Sequence, residues 1–454
     1  MDIKKNDIIK LKITSMTSQG SGVGKIEGGI VVFVPMSAIG DELSVRILKV
    51  KKTYAYGKIE EVLNPSESRI EVDCPNFGKC GGCVYRHISY NSEKEIKYQR
   101  VRDATERIGG FKDIKINPVV ENDRVNRYRN KAQLPAQNTE NGVEFGFYAN
   151  HSHRIIPCND CLLQPKDFKK VMDITKDFMQ KTSQSAYDER TGRGKLRHLY
   201  IRYAEMTDEL MVCYVVNGNG LKQEDVLIKE LNDNIPNLKS VVFNSNRENT
   251  NVVLGLKNRT AYGRDYIEDI LCGKRFKLSP LSFYQVNRAQ AEKLYEIAKK
   301  YADLKGNEVL LDLYCGTGTI GLSMADCCKK LIGVEIIEDA VNDAVKNAEK
   351  NNINNARFIC GDASYASQKL RQEGVKPDVI IVDPPRKGLD GELIKTISKM
   401  SPERVVYVSC DAETLARDLK LFSEKNYSVK EITPVDLFSR TSHVENVCLL
   451  TKNS

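Results

Sequence analysis

The feature that most narrows the fold is Glu308-Val-Leu-Leu-Asp-Leu-Tyr-Cys-Gly-Thr-Gly-Thr-Ile-Gly321, an apolar strand broken by a glycine turn that opens a helix. Gly316, Gly318 and Gly321 keep the spacing that lets a backbone turn tightly and approach a nucleotide. From Leu278 onward, buried β-branched runs alternate with helical patterns, as in a doubly wound parallel sheet. The runs are Leu331-Ile-Gly-Val-Glu335, Arg357-Phe-Ile-Cys-Gly-Asp362, Asp378-Val-Ile-Ile-Val-Asp383 and Val405-Val-Tyr-Val-Ser-Cys410. Each stops at a polar residue, which places those residues at one sheet edge, where such sheets bind ligands. Glu335 falls nineteen residues after Gly316, in position for ribose hydroxyls. Tyr427 to Phe438 and Val444 to Lys452 read as a closing antiparallel pair.

The glycine turn suits either a nicotinamide nucleotide, and with it an oxidoreductase, or S-adenosylmethionine, because both carry an adenine and a ribose. Three features favour the methyl donor: the closing hairpin, Asp362 after the third strand, and Asp383-Pro-Pro after the fourth. Asp-Pro-Pro-Arg alone also fits methylation of an exocyclic amino group, whose lone pair attacks a methyl directly. Cys410 on the neighbouring strand end fits another acceptor. Carbon-5 of a pyrimidine has no lone pair and becomes nucleophilic only after a thiolate adds to carbon-6. The carbon-5 proton must then leave. The connection Asp436-Leu-Phe-Ser-Arg-Thr-Ser-His-Val-Glu445 returns to the same edge and offers Glu445 as the base, with His443 as competitor.

At 454 residues the chain exceeds one hydrophobic core. Three units are expected: a barrel over 1–63, a mixed, β-rich unit over 64–270, and the doubly wound unit over 271–454. The barrel follows from five short strands in sixty residues, Asp7–Ile13, Gly20–Gly24, Gly29–Val34, Glu42–Leu48 and Ala55–Ile59. Lys49, Lys51 and Lys52 stand near its last turn. A helix is expected over Ser92–Ile108. Cys74, Cys80 and Cys83 lie within ten residues, and Cys158 and Cys161 follow far downstream. Such thiols call for a metal or cluster, with Cys161 as fourth ligand and Cys158 as alternative; the spacing leaves zinc and iron–sulfur both open. Two basic tracts interleave with aromatics: Arg124, Arg127, Arg129 and Lys131 with Tyr128, and Arg193, Lys195, Arg197 and Arg202 with Tyr200. With a net charge of +8, they point to an RNA partner. No apolar run is long enough to span a bilayer, and Met1-Asp-Ile-Lys-Lys-Asn lacks a signal core, so a cytoplasmic monomer is expected.

Gly20-Ser-Gly-Val-Gly24 followed by Val31-Val-Phe-Val-Pro35 resembles the TRAM domain, an RNA-binding barrel. Asp383-Pro-Pro-Arg-Lys-Gly388, then Val405-Val-Tyr-Val-Ser-Cys410-Asp-Ala-Glu-Thr414, resembles the first signature of the RNA uracil-5 methyltransferases, and Asp436 to Glu445 the second. Ser439 stands where that family usually has proline. The resemblance implies a Rossmann-like S-adenosylmethionine-dependent methyltransferase domain, a [4Fe-4S] cluster and 23S ribosomal RNA as substrate. It implies Cys410 as nucleophile and Glu445 as base, and maps Gln285, Tyr314, Glu335 and Asp383 onto cofactor positions. The fold itself adds Asp362 to that group. Cluster plus barrel favours ribosomal over transfer RNA. A non-catalytic RNA-binding or ribosome-assembly factor is the reading from another class.

Overall fold

The computed structural model describes residues 3–26, 29–150, 152–249 and 251–453. Strands Ile8–Met16, Ser21–Lys25, Val31–Pro35, Glu42–Val50 and Tyr54–Asn64 close into a barrel in the order first, second, third, fifth, fourth. Alternate residues point inward, so Leu11, Val32, Val34, Val45 and Ile47 make a small core of their own. Gly24 is required by close approach, because a Cβ there would meet the Lys12 carbonyl oxygen at 2.6 Å. All five expected strands are present, with the first, fourth and fifth longer than their apolar runs.

A seven-stranded sheet follows, in the order Lys257–Gly263, Leu238–Ser245, Glu209–Val216, Leu196–Ala204, Lys131–Thr139, Gly142–Tyr148, Ile155–Pro157. Helices Asp167–Lys181 and Glu224–Asn234 cover one face, where Phe168, Met172, Phe178, Leu227 and Leu231 pack on Leu134, Leu199, Ile201 and Val212.

The C-terminal sheet has eight strands. Seven are β1 (Val309–Leu313), β2 (Lys330–Glu335), β3 (Ala356–Cys360), β4 (Val379–Val382), β5 (Arg404–Ser409), β6 (Tyr427–Val435) and β7 (Glu445–Lys452). Their order is β3-β2-β1-β4-β5-β7-β6, with β1 to β5 parallel and β7 antiparallel to both neighbours. The eighth strand, Lys115–Ile116, comes from far upstream and pairs in parallel with β6. The helix expected over Ser92–Ile108 spans Tyr90–Arg107, capped by the Ser89 side chain. Its residues Val101 and Ala104 belong to the same core as Leu311, Val382 and Tyr407. A segment that reads as part of the middle of the chain is thus built onto the C-terminal sheet.

That helix carries Glu93 and Lys97, both essentially excluded from solvent. Lys97 Nζ donates to Glu93 Oε1 at 2.8 Å, to Asp436 Oδ1 at 2.6 Å and to the Phe438 carbonyl at 3.2 Å. Tyr90 OH donates to Asp436 Oδ2, and Glu93 Oε1 accepts the Arg440 N–H, both at 2.7 Å. Lys97 therefore serves two buried carboxylates, and removing it leaves Asp436 without its cation and Glu93 with Arg440 alone, 3.6 Å away. Lys97→Met is expected to cost roughly 3–5 kcal/mol in urea unfolding. Lys12→Met removes a pair with Glu42 that lies in solvent, and should stay within about 0.5 kcal/mol of the parent.

Candidate active site

β5 ends at Ser409, which pairs with Asn446 of β7. The ladder ends there; its register carried one residue further would set Cys410 against Glu445, the first residue of β7, and the Glu445 charge acts on the Cys410 thiol. Opposed residues of an antiparallel pair share a face, with Cβ atoms about 4.5–5.5 Å apart. Cys410 occupies the turn between strand and helix. Ser409 Oγ donates to the Asp411 carbonyl, and Asp411 caps the helix Ala412–Ser423 by accepting from Thr414 N at 2.8 Å. Asp383 leaves β4 beside it, since Val382 pairs with Tyr407. The chain then turns at Gly388, at φ 74°, where a Cβ would strike Thr414 Cγ2 at 2.3 Å. Thr414 Oγ1 donates to the Arg386 carbonyl at 3.0 Å, which ties the loop after β4 to the helix after β5.

The loop entering β7 is held from every side. Asn287 Nδ2 donates to the Leu437 carbonyl and Gln290 Nε2 to that of Asp436, both at 3.0 Å. Tyr128 OH donates to the Ser439 carbonyl at 2.9 Å, and Arg100 Nη1 to that of Ser442 at 3.0 Å. Ser439 is fully buried; its hydroxyl donates to Asp436 Oδ2 and accepts from Asn122 Nδ2. The serine thus adds a link that a proline side chain has no atoms to make.

Burial governs the charges. It pushes the Cys410 thiol up to about 11, with Glu445 and Asp383 adding to the shift and Arg386 opposing it. Glu445, 7% exposed, is raised to about 8 by burial and by Asp383, again against Arg386. Asp383 is raised to about 7 by burial. These mutual influences put Cys410, Glu445, Asp383 and Arg386 in one site. His443 goes the other way: burial, then Arg386, lowers it to about 4. Its Nε2 lies 3.3 Å from Arg386 Nη2 and has to accept there, because a guanidinium only donates. A carboxyl near 8 matches proton removal near neutral pH better than a ring near 4. Arg386, visible in the motif but given no role from sequence, is the cation of the site.

The other half of the edge suits a nucleoside. Glu335, ending β2, accepts from Gly316 N at 3.1 Å through Oε2, and from Ile336 N at 2.9 Å and Ile337 N at 3.0 Å through Oε1. Ile336 and Ile337 are 62% and 60% exposed, an apolar ledge beside the carboxylate. Tyr314 and Gly316 stand at φ 64° and 55°, and a Cβ on Gly316 would meet nothing within 4 Å. Asp362 caps the helix Ala363–Gln372 with Oδ1, accepting from Ser364 N and Tyr365 N. Gln285 is half-buried, and its carbonyl accepts from Asn130 Nδ2 at 2.9 Å. Sequence reading passed over Asp312. It is buried in β1, accepts from Gly321 N at 2.9 Å and is raised to about 7 by burial. Its signal was an acid inside an otherwise apolar strand.

The two cysteine segments, distant in sequence, are neighbours in the fold. Asn76 Nδ2 donates to the Pro157 carbonyl at 2.9 Å, joining the two cysteine segments. Cys80 is raised by burial and then by Cys161 and Cys74, and Cys83 by burial and also by Cys161 and Cys80. Cys161 is lowered to about 7 chiefly by the Cys158 thiol, which donates to it. Among the described residues, no three His, Cys, Asp or Glu side chains are drawn together closely enough to hold a metal ion.

The basic tracts need correction as RNA contacts. Tyr128, Tyr200, Arg197 and Arg202 are buried, so they are not available for stacking or phosphate contacts at the surface. Arg127 is spent on Asp160 and on the carbonyls of Cys161 and Gln164. Arg124, Arg193 and Lys195 remain at the surface. Arg197, Tyr200 and Arg202 lie on the strand Leu196–Ala204, which is buried along nearly its whole length on both faces, whereas Arg124 to Arg129 precede the strand Lys131–Thr139 in an irregular segment. On the barrel, Lys49, Lys51 and Lys52 are exposed as expected, beside the ring cluster Phe33, Tyr54 and Tyr56. Among the described residues, no helix is long and apolar enough to cross a membrane.

Comparison with known proteins adds to this geometry. Residues 4–59 match the TRAM domain, and residues 225–453 match the family described as tRNA (Uracil-5-)-methyltransferase. A chain of Clostridium tetani named as an RNA methyltransferase is 42% identical over 449 residues, which is 99% of this chain and 97% of the relative. One of Halalkalibacterium halodurans, similarly named, is 41% identical over 99% of this chain and 98% of its own. Among solved structures, the Pyrococcus abyssi tRNA (uracil-54, C5)-methyltransferase in complex with S-adenosyl-L-homocysteine matches with TM-score 0.79 and 28% identity, over 97% of this chain and 99% of that one. The C-terminal sheet is thus that of an S-adenosylmethionine-dependent methyltransferase.

The charges of the site yield a test without any substrate. Alkylation of Cys410 by iodoacetamide, followed by peptide mass spectrometry, should rise with pH toward an inflection near 11. Glu445→Gln and Asp383→Asn each remove a negative neighbour, so each should move that inflection downward. An unmoved inflection in both would mean that the three groups do not share a site.

Proposed function

Since the chain belongs to the tRNA (uracil-5-)-methyltransferase family, we propose that it methylates carbon-5 of a uracil in 23S ribosomal RNA, with Cys410 as nucleophile and Glu445 as base. The observation that carries this reading is that Cys410 and Glu445 stand at the adjoining ends of β5 and β7 and share Asp383 and Arg386 as charged neighbours. S-adenosylmethionine, when bound, supplies an electrophilic methyl group; Glu335, Asp362, Asp383, Tyr314 and Gln285 are the residues assigned to hold it. The Cys410 thiolate forms a bond to carbon-6, and the displaced electron pair moves to carbon-5 and the carbon-4 oxygen. Carbon-5 then takes the methyl, leaving S-adenosylhomocysteine. Glu445 removes the carbon-5 proton, the sulfur–carbon bond breaks, and the ring double bond is restored. Arg386 favours the ionised forms of both Cys410 and Glu445.

Cys410→Ala should abolish methyl transfer while RNA affinity stays within about threefold, since the thiol contributes a bond to one ring only. Glu445→Gln should accumulate a covalent protein–RNA adduct that resists denaturing electrophoresis. In the parent, decay of that adduct should quicken as pH rises through about 8, where Glu445 loses its proton. A fully active Glu445→Gln protein would remove its assignment.

The choice of ribosomal RNA rests on the cysteines taken with the barrel. We assign Cys74, Cys80, Cys83 and Cys161 to a [4Fe-4S] cluster, supported by an all-thiolate donor set whose charges act on one another. Its role would be structural, because Val84, next to Cys83, donates its N–H to the Arg440 carbonyl at 2.8 Å and so ties this segment to the loop before Glu445. Protein purified without oxygen should be brown and contain iron and sulfide in equal amounts. A colourless, zinc-loaded protein would overturn the assignment. A transfer-RNA substrate is the second reading, favoured by the Pyrococcus abyssi structure, which matches 97% of this chain. Mapping 5-methyluridine in ribosomal and transfer RNA from cells with and without the gene decides between them. The site lost in the deletion strain should lie in 23S RNA.

A further inference from the structure

The strand Leu196–Ala204 runs between Lys131–Thr139 and Glu209–Val216 in the middle sheet. Its register against Glu209–Val216 shifts between Leu196 and His198, the mark of a bulge at Arg197. Bulges break the alternation of side chains and re-aim them, often beside functional sites. Here two consecutive residues, Arg197 and His198, both line a cavity of about 520 Å³ whose walls include Tyr148, Arg154, Tyr187 and Arg190. Arg197 is 4% and His198 8% exposed. Arg197 Nη1 donates to the Asn246 and Glu248 carbonyls, and its guanidinium stacks 4.5 Å from the Tyr187 ring centroid. Arg197 Nε and His198 Nδ1 nevertheless find no hydrogen-bond partner among the described residues. Both atoms are closed off from solvent and so from the cavity itself; what opens onto it is the remaining surface of these two side chains and the side chains of Tyr148 and Tyr187.

The lining specifies the chemistry of a ligand there. Tyr148 and Tyr187 present rings on which a base can stack. The His198 imidazole is held neutral, because burial lowers it to about 4. Arg154 and Arg190 are exposed at the rim, where phosphates would lie. The acids of the lining are partly occupied: Asp188 pairs with Arg190, and Glu189 lies 3.9 Å from His153. The volume suits one nucleotide and is too small for a duplex. The location agrees as well. Arg202, four residues along the same strand and so about 13 Å away, donates to the Ser279 and Ser282 carbonyls, just before Gln285. We propose that this cavity binds one unpaired, splayed-out nucleotide of the substrate RNA, away from the uracil that is methylated. It would thereby contribute to the choice of RNA. The proposal rests on the chain acting on RNA, as argued above, and does not require that the RNA be ribosomal.

The test uses the full chain and ribosomal and transfer RNA purified from cells lacking the gene. Ultraviolet cross-linking followed by peptide mass spectrometry should place a nucleotide adduct on the peptide carrying Tyr148 or Tyr187. Tyr187→Ala should weaken RNA binding about tenfold, the scale of one lost stacking partner, whereas Tyr187→Phe, which keeps the ring, should bind like the parent. His198→Ala should weaken binding as well. S-adenosylhomocysteine affinity, measured by calorimetry, should be unchanged in all three. If Tyr187→Ala and His198→Ala bind RNA like the parent and no adduct forms there, the cavity is not an RNA subsite. If RNA and S-adenosylhomocysteine binding fall together, Tyr187 and His198 are structural and the proposal also fails. Cross-linking in the cavity without methyl transfer to either RNA would uphold the subsite and overturn the enzymatic reading instead.

Discussion

A single buried ammonium group holds the architecture of the site together. Lys97 brings one positive charge between Glu93 of its own helix and Asp436 of the loop that leads to Glu445, with none of the three exposed. A charge so far from water persists only where its partners are in place. The arrangement therefore admits essentially one position for the loop, and that position sets Glu445 beside Cys410. Tyr90, Asn122 and Ser439 extend the network by satisfying the second oxygen of Asp436 and the Ser439 hydroxyl. The helix that supplies Lys97 precedes the loop by more than three hundred residues, so the two ends of the chain meet at this point.

The reacting groups obey the opposite logic. Asp383 and Glu445 are carboxyl groups in one poorly hydrated recess, and each makes ionisation of its neighbours harder. Arg386 opposes the shift of Glu445, and it sits on an exposed turn rather than in the core. Structural charges in this protein are neutralised, whereas those at the site are left near the point of proton exchange. That difference separates a scaffold from a centre able to move protons.

Much of this was legible in the chain. The glycine spacing and the β-branched runs placed β1 to β5 and their polar ends, because parallel strands buried on both faces must be continuously apolar. Glu335, Asp362, Asp383 and Cys410 could be read as edge residues from where the runs stop. Alternation and glycine punctuation also marked the barrel strands, although the fifth extends to Asn64, past its apolar run. The basic tracts misled, because the strand Leu196–Ala204 is covered on both faces by the assembled sheet, which its charges do not announce. Arg202 is buried because the Ser279 and Ser282 carbonyls accept from it and the Tyr200 ring lies against its guanidinium. The Lys97 knot was not legible at all: its helix carries an unremarkable mixture of charges, and nothing local marks one lysine as buried.

Local pattern therefore determined the elements and the chemical identity of their ends: a nucleoside-binding turn, a thiol and a carboxylate on strand termini, and an RNA-type barrel. Side-chain volume, polarity and backbone preference act over a few residues, and they write themselves into short stretches. Long-range packing decided which of those ends meet. It brought the upstream helix onto the last loop, turned half of the basic residues inward, and aimed Arg197 and His198 into one cavity. Such contacts join residues hundreds of positions apart, and their energy depends on burial and register that arise only once the chain is assembled.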